Sequence, residues 1–596
     1  MTHDAVEYLP LQDERVRAAF PELSREQLDR SVHLIEPDGQ VYRGAEAVFR
    51  SQTCARRWPL WLYEKIPGVA ALSEAAYALV AANRGFFSLL TRLLFGEHVE
   101  PPAHFLVRWL FLRGLGVVYL IAFASLASQI IGLAGSDGIM PAKQILQAYV
   151  QNIPGPARFY AAPTLCWSSA EDGFLRFQCV AGVVLAILLI LGIAPAPCLF
   201  LLWLIYLSLS VVCTVFLGFQ WDALLLEAGL LAIFFAPLRL WPNLPRERPP
   251  SRLALWLLRC LLFKLMFLSG VVKLVSNDVT WRNLTALTVH YETQPLPTWT
   301  AWYVHQLPIW AHKVSCVAMF GVELIVPFFI FLPRRIRFVA FWLFVALQLV
   351  IALSGNYTFF NLLTVVLCLP LLDDRALARF APRKWAECAA AARNPPWLRG
   401  RPLRIAHIAL LSVVAAVVLS VSAVEVFGRL GVRWPSDSIF IRLHSWIAPL
   451  RSVNGYGLFA VMTTSRPEII VEGSNDGVTW LPYEFKYKPG DLKRRPRFVA
   501  PHQPRLDWQM WFAALGDVRH NPWFINFCVR LLQGKPEVLT LVKTNPFPEQ
   551  PPKYIRAQLY DYRFTNFEQR RINGSWWRRE FKREYCPPLS LNRGAP

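Results

Sequence analysis

Several kinds of chemistry are missing from this sequence. Its 11 cysteines include no C-x-x-C pair and no zinc-ligand spacing, which argues against a dithiol centre or a zinc site. There is no G-x-S-x-G elbow, which argues against a serine hydrolase of the α/β type. H-E-x-x-H and the glycine-rich loops that cradle phosphates or dinucleotides are absent as well. No charged n-region with a short apolar run and a small-residue cleavage site stands near Met1, so membrane insertion is expected to begin at an internal helix. Neither an internal repeat nor a low-complexity tract is found. Acidic residues are scarce, 41 against 62 lysines and arginines, for a net charge of +21.

What the chain has instead is long uncharged apolar runs within 596 residues that are 54% hydrophobic. Val180 to Leu191, Phe200 to Leu217 and Val339 to Leu353 carry no charge, and such runs approach the roughly 20 residues that a helix needs to cross a bilayer. The pattern predicts a polytopic α-helical membrane protein with about nine spans, at 110–134, 174–194, 197–217, 222–238, 253–275, 314–332, 336–353, 356–372 and 405–427. The basic residues gather at the ends of these blocks, which points to orientation rather than nucleic acid. With a cytoplasmic N terminus the inner loops hold Arg239, Arg246, Arg248 and Arg252, then Arg334, Arg335 and Arg337, then Arg375, Arg379, Arg383, Lys384, Arg393, Arg399, Arg401 and Arg404. The outer loops hold only Lys143, Arg158, Arg282 and Lys313. The positive-inside bias then holds at every short loop and places the C-terminal domain outside.

Three regions follow. In residues 1–98, Val32 to Tyr42 alternates around Pro-Asp-Gly, the pattern of a hairpin, and Leu72 to Leu94 has helical amphipathicity. Residues 105–428 form the bundle. Residues 429–596 turn polar, aromatic and strand-like, with Asn-Asp-Gly and Pro-Gly turns, and predict a β-rich extracytoplasmic domain. Cys179, Cys198, Cys213, Cys260, Cys316 and Cys368 fall in or beside apolar helices and read as small core residues. Cys166, Cys528 and Cys586 fall outside the cytoplasm, where a disulfide, Cys528 with Cys586, could persist.

The stretch "SVHLIEPDGQVYRGAEAVFR" in the first region resembles the C-terminal half of a DCC-type thiol-disulfide oxidoreductase domain. That family's D-x-x-C-x-x-C site would lie upstream of Met1, so its redox chemistry is not carried over. "EGSNDGVTW" is similar to a signature of discoidin-like jelly rolls. Three longer stretches resemble the lipase maturation factor family: "FLGFQWDALLLEAGLLAIFFAP" at 216–237, "FLSGVVKLVSNDVTWRNLTALTVHYETQPLPT" at 267–298 and "FKYKPGDLKRRPRFVAPHQPRLDWQMWFAALG" at 485–516. The resemblance implies a membrane-anchored factor of the secretory pathway that helps secreted proteins such as lipases fold and assemble, with no catalysis of its own. The membrane is expected to be the bacterial cytoplasmic membrane, with the endoplasmic reticulum as its counterpart in eukaryotic relatives. It also implies a distant relation to the HTTM bundle of the vitamin K-dependent γ-glutamyl carboxylase. There a lysine after "AG-x-x-K" is a base, and "SGVVKL" puts Lys273 at the similar position. An enzyme of that type would hold a lipid or quinone-like molecule in the bundle, whereas an assembly factor needs no cofactor.

Charged residues inside apolar helices are costly, and they raise a functional question by default. Here they are Glu227, Lys264, Lys273 and Glu323. Counting about 1.5 Å per residue from the predicted helix ends pairs Glu227 with Lys273 near the outer leaflet, as a candidate catalytic or proton site. The same count pairs Lys264 with Glu323 near the midplane, as a buried ion pair. Two purely structural ion pairs are the alternative. Lys264 and Lys273 are nine residues apart, about half a turn around a helix, so they face opposite sides. The loop at 290–308 contains His290, Glu292 and His305, but not at metal-ligand spacing. Its Trp299, Trp302 and Tyr303 are expected at headgroup level. No metal is predicted. The basic aromatic segment offers Lys488, Arg494, Arg495, Phe498, His502, Arg505, Trp508 and Trp511, residue types enriched in interfaces. It is expected to dock on the bundle first and to meet a client protein second. Membrane lipids and a secreted client are the expected partners, and nucleic acid is not.

Overall fold

The computed structural model describes residues 23–53, 58–96, 102–241, 249–380 and 401–591, with short pieces at 6–9, 20, 247, 382–383 and 387. Of the expected inner-loop charges, Arg246, Arg248, Lys384, Arg393 and Arg399 lie outside these residues. The chain divides into two compact units, residues 1–100 with 333–335, and the rest.

The first unit is small. Its hairpin, β1 (His33–Ile35) and β2 (Val41–Arg43), is antiparallel with His33 opposite Arg43, as the Pro-Asp-Gly turn predicts. Helix α1 (Gly44–Ser51) follows, then α2 (Trp58–Lys65), α3 (Val69–Ala82) and α4 (Arg84–Phe95). The amphipathic stretch from Leu72 is thus two helices, broken at Asn83. Glu74 of α3 caps α1, accepting from the backbone N–H groups of Ala45 at 3.2 Å and Glu46 at 3.1 Å; a carboxylate there meets unpaired donors and the positive end of the helix dipole.

The second unit is a helical bundle carrying a β-rich domain. Among the described residues, seven helices are long and apolar enough to cross a membrane. They are α5 (Phe105–Ala127), α6 (Asp172–Leu191), α7 (Pro195–Val212), α9 (Arg252–Val275), the broken helix that begins with α10 (Ile309–Phe320) and runs through a π turn to Phe331, α11 (Arg334–Ser354) and α13 (Arg401–Arg429). The fourth and eighth expected spans are shorter helices, α8 (Gln220–Phe235) and α12 (Phe360–Cys368). This is a polytopic helical membrane protein. Its packing uses small residues where helices approach: a Cβ at Gly182 of α6 would run into the ring of Phe123 of α5. Close backbone approach of this kind holds helices together where lipid removes the hydrophobic drive between them.

The C-terminal strands β3 (Arg466–Ser474), β4 (Leu481–Pro482), β5 (Glu484–Phe485), β6 (Val542–Thr544), β7 (Tyr554–Phe564) and β8 (Trp577–Leu589) make one antiparallel sheet in the order β4-β3-β7-β8 and a two-stranded ribbon, β5-β6. Among the described residues these six strands stand where the jelly-roll resemblance implies eight. Strand β3 is buried along nearly its whole length, with the helix Arg505–Ala514 against it and the helix Pro522–Leu532 against β7. The expected disulfide is not formed: Cys528 and Cys586 are both buried free thiols.

The domain is not a separate module. One continuous core runs from Phe111 and Tyr119 of the bundle through Phe216 and Trp221 to Trp508, Met510 and Phe527 of the domain. The bond that closes this junction is between Arg505 and Asp222. Their side chains are 0% and 1% exposed, and Arg505 forks onto both Asp222 oxygens at 3.1 and 3.2 Å. Removing one partner of such a pair strands a buried charge, a loss of about 3–5 kcal/mol, whereas replacing both by apolar residues is close to neutral. Arg505→Met alone should therefore lower the melting temperature of the detergent-purified protein sharply. Adding Asp222→Leu should recover most of it, and a double variant as unstable as the single would refute the assignment.

Candidate functional site

One group of buried polar side chains lies toward the domain-bearing end of the bundle; another, with His104, Arg108, Arg259, Arg337 and Asp374, lies at the other end, around the start of α5. Glu227 of α8 accepts from Lys264 Nζ of α9 at 2.6 Å on one oxygen; on the other it accepts from Tyr456 O–H at 2.6 Å and Asn454 N–H at 3.0 Å. Lys264 also donates to Ser422 Oγ of α13 at 3.1 Å. Lys273 donates to Glu323 at 2.7 Å and to Ser269 O at 2.9 Å, with its ammonium 5.5 Å from the Trp281 ring. Both pairs are closed and buried.

These partners correct the pairing by depth. Lys264 meets Glu227, and Lys273 meets Glu323. Residues 309–320 stand beside the loop helices around Trp281 and Ala286, where Cys316 shares their buried cluster and Phe320 meets the Trp281 ring edge-on. That helix therefore starts beyond the ends of its neighbours, and fourteen residues into it Glu323 is level with the last turn of α9. Counting depth from each helix's own end assumes a common starting level that the bundle does not have. The half-turn between the two lysines is as expected: each reaches a different neighbour. Gly270 makes the second pair reachable, since a Cβ there would lie 2.7 Å from Leu324 and 3.1 Å from the Cβ of Glu323. Glu323 itself sits in the π turn Gly321–Ile325, a bulge that re-aims a side chain.

The basic aromatic segment divides by role. Arg505 donates to Asp222 and to Phe216 O at 2.5 Å, and Tyr206 O–H donates to the same carboxylate at 2.5 Å. His502 Nδ1 lies 2.9 Å from Ser125 Oγ at the end of α5. Trp508 packs edge-on against Trp221, with centroids 4.7 Å apart, and Trp511 Nε1 donates to Thr293 O at 2.8 Å. Arg495 stacks on Trp299, 4.5 Å from its centroid, and Phe498 meets the same ring at 5.9 Å. Lys488 and Arg494 stay within the domain: Lys488 is 2.9 Å from Glu468, and Arg494 donates to Phe485 O at 2.7 Å. Docking to the bundle uses six of the eight residues, while Arg495 and Phe498 also keep exposed surface.

The loop at 290–308 is not a headgroup belt throughout. Glu292 is buried and accepts from Arg563 and from Phe564 N–H, both at 2.9 Å. Trp302 is 0% exposed and packs against Trp576 and Phe567. Arg466 donates to Glu292 O and Pro295 O at 2.8 Å each, and to Gln294 O. No group of His, Cys, Asp and Glu suited to a metal is present among the described residues. Sequence reading passed over Asp222, Asn356, Tyr456 and Arg466. Only Asp222 carried a signal, an acid at the first predicted residue of an apolar helix.

Comparison with known proteins bears on the whole of this arrangement. The lipase maturation factor transmembrane domain matches residues 106–379, and the lipase maturation factor C-terminal domain matches 452–587. A DCC1-like thiol-disulfide oxidoreductase model matches 1–89. Lipase maturation factor 2 of Gallus gallus is 38% identical over 594 residues, covering 83% of this chain and 82% of that protein. The chain belongs to the lipase maturation factor family. Lipase maturation factor 2 of Homo sapiens is also 38% identical, over 82% of this chain and 83% of its own length. Lipase maturation factor 1 of Bos taurus is 36% identical over 81% and 89%. No solved structure matches. The family match runs through both Arg505 and Asp222, so the rigid junction falls within the shared region.

Three histidines around this end have depressed proton affinity: His502, by burial and then by Arg505 and Lys486; His290, by burial and then Lys273, to about 4; and His305, by burial. The unfolded chain takes up these protons near an ordinary value of about 6.5 and the folded one does not. Stability is thus complete above that pH and falls as pH drops through it toward the folded values. Melting temperature should decline between pH 7 and pH 5, where most carboxylates stay ionised, and His502→Gln with His290→Gln should flatten that decline.

Proposed function

We propose that this chain is a membrane-anchored maturation factor that assists folding and assembly of a secreted client, a lipase by the name its relatives carry, and that it does so without catalysis. The observation that supports this most is the 13-residue strand β8. It forms one edge of the sheet while the domain behind it is fixed to the bundle. Arg578 to Glu584 are exposed along it. An extended client segment can add to such an edge by main-chain pairing. The register shifts of β8 against β7 and its charged side chains discourage pairing with further copies. Arg578, Arg579, Lys582 and Arg583 outnumber Glu580 and Glu584 there, so the fitting segment is acidic.

The same reading takes all nine helices as crossings. Contacts with the domain and its linker come from the end of α5 (Ser125), the start of α8 (Asp222), the loop between α11 and α12 (Asn356) and the last turns of α13, where Glu425 and Arg429 lie against Gly455. Strict alternation of direction, with α8 and α12 counted, brings all of these to one side. Together with the basic loops on the other side, this supports a cytoplasmic N terminus and an external C-terminal domain, in a bacterial cytoplasmic membrane or its endoplasmic reticulum counterpart. Lys273, closed on Glu323, is read as a tie between helices rather than a base.

Arg578→Glu with Lys582→Glu should cut capture and maturation of a co-expressed secreted lipase about tenfold, the effect of losing charge-assisted contacts of roughly 1.5 kcal/mol, at unchanged melting temperature. Unchanged lipase yield would remove β8 from the account. Lys273→Met with Glu323→Leu should leave maturation intact in folded protein; loss of activity there would restore a catalytic role.

A further inference from the structure

A cavity of about 960 Å³ lies between the domain-bearing end of the bundle and the C-terminal domain. It is at the upper end of the roughly 300–1,000 Å³ typical of small-molecule sites. All three stretches that carry the family resemblance meet in its wall: Phe219 and Trp221 from the first, Pro295 from the second, Trp508, Trp511 and Phe512 from the third. Lys273 is not among its lining residues.

The wall has a definite chemical bias. It is mostly aromatic and aliphatic, and Val215, Val461, Phe512 and Leu515 leave apolar surface exposed around it. No aspartate or glutamate lines it. The buried polar atoms of its wall that lack a partner are Gln220 Nε2, Trp221 Nε1 and Trp508 Nε1, all donors. Arg451 stands in it as a half-buried cation. One guanidinium nitrogen donates to Ser210 O at 2.8 Å, and no carboxylate lies within ion-pair distance among the described residues. Its backbone is left-handed, φ 50°, a strained conformation for a residue with a side chain. Burial lowers the proton affinity of its guanidinium and outweighs the opposing pull of Tyr149 and Asp222, as expected of a desolvated cation with no ion-pair partner in contact. His520, also in the lining, is the second side chain able to carry positive charge.

We propose that this cavity binds an anionic amphiphile with an acyl chain, its carboxylate or phosphate held by Arg451 and its chain laid along the aromatic wall of Trp221, Trp508 and Phe512. A polypeptide segment brings donors and acceptors in equal number. This wall offers donors, a cation and apolar surface, and an acceptor-rich anion on a hydrocarbon chain matches all three. The site does not depend on the client reading of β8.

The test uses the full chain in detergent with three diazirine-bearing probes, oleate, phosphatidylglycerol and a neutral monoacylglycerol, and maps crosslinked peptides. Labelling by an anionic probe should concentrate in 451–463 and 505–523. Arg451→Gln should reduce it about tenfold, the effect of removing one charged contact, and Arg451→Lys should retain most of it. Labelling by oleate alone identifies a carboxylate ligand, by phosphatidylglycerol alone a phospholipid headgroup, and by both a site for the shared chemistry; each supports the proposal. Should Arg451→Gln fail to fold, Ala460→Trp, which fills the cavity, should abolish the same crosslinks. Neutral and anionic probes labelling equally, crosslinks spread over the lipid-facing helices, or labelling indifferent to both substitutions would overturn it.

Discussion

Everything at the domain-bearing end depends on one buried ion pair. Arg505 reaches out of the C-terminal domain into the bundle, and its two terminal guanidinium nitrogens donate to both oxygens of Asp222 and to Phe216 O. Asp222 is held in turn by Tyr206. It also sits in the first turn of α8, where a carboxylate is favoured by the helix dipole. Charges removed from water bind each other well only when their geometry is close to ideal; here both terminal nitrogens and both carboxylate oxygens are engaged, and Arg505 Nε alone is left without a partner. The pair therefore selects one docking position. Trp508 against Trp221, Trp511 on Thr293, and Val499 and Ala500 donating to Asn356 at 2.7 and 3.0 Å all follow from that position.

The two lysine–glutamate pairs do similar work one layer deeper. Glu227 joins α8 to α9, and through Lys264 and Ser422 to α13; through Tyr456 and Asn454 it also holds the linker that leads into the domain. A carboxylate with three donors and an ammonium with two acceptors leave little unmet charge, which is what makes them tolerable at this depth. Such groups add little net stability over an apolar core, but they discriminate strongly against a shifted register, because any slip strands a charge. A bundle whose helices meet lipid on one side and a folded domain at one end has use for that discrimination.

Much of this was legible in the sequence, and the failures have physical causes. Uncharged runs of bilayer length and the basic loops located the helices, the Pro-Asp-Gly turn located the hairpin, and nine-residue spacing sent Lys264 and Lys273 to different neighbours. Arg505, Trp508 and Trp511 are residue types enriched in interfaces, and each contacts the bundle. Pairing failed because depth along a helix carries no information about where the neighbouring helix begins, and the helix starting at Ile309 begins beyond the rest. Asp222 was passed over because an acid in the first turn of a helix looks like an ordinary cap; that it pairs with Arg505 is a contact across 283 residues of chain. Trp302 reads as a headgroup residue because an aromatic in a loop between spans has the same local signature whether its neighbour is lipid or, as here, Trp576. The free state of Cys528 and Cys586 was beyond reach for the same reason: spacing in sequence does not report distance.

Fixing the domain rigidly has a mechanical consequence. A client site on a flexible tether samples all orientations, and linkage gains only effective concentration. In this chain the domain shares its core with the bundle and is tied at Arg505, Arg466 and Glu292, so strand β8 is held at one angle to the helices. The cavity at the junction is built from both parts at once, from Trp221 and Tyr357 on one side and Trp508 and Phe512 on the other. Whatever fills it touches both, and so contributes to the same junction that aims β8.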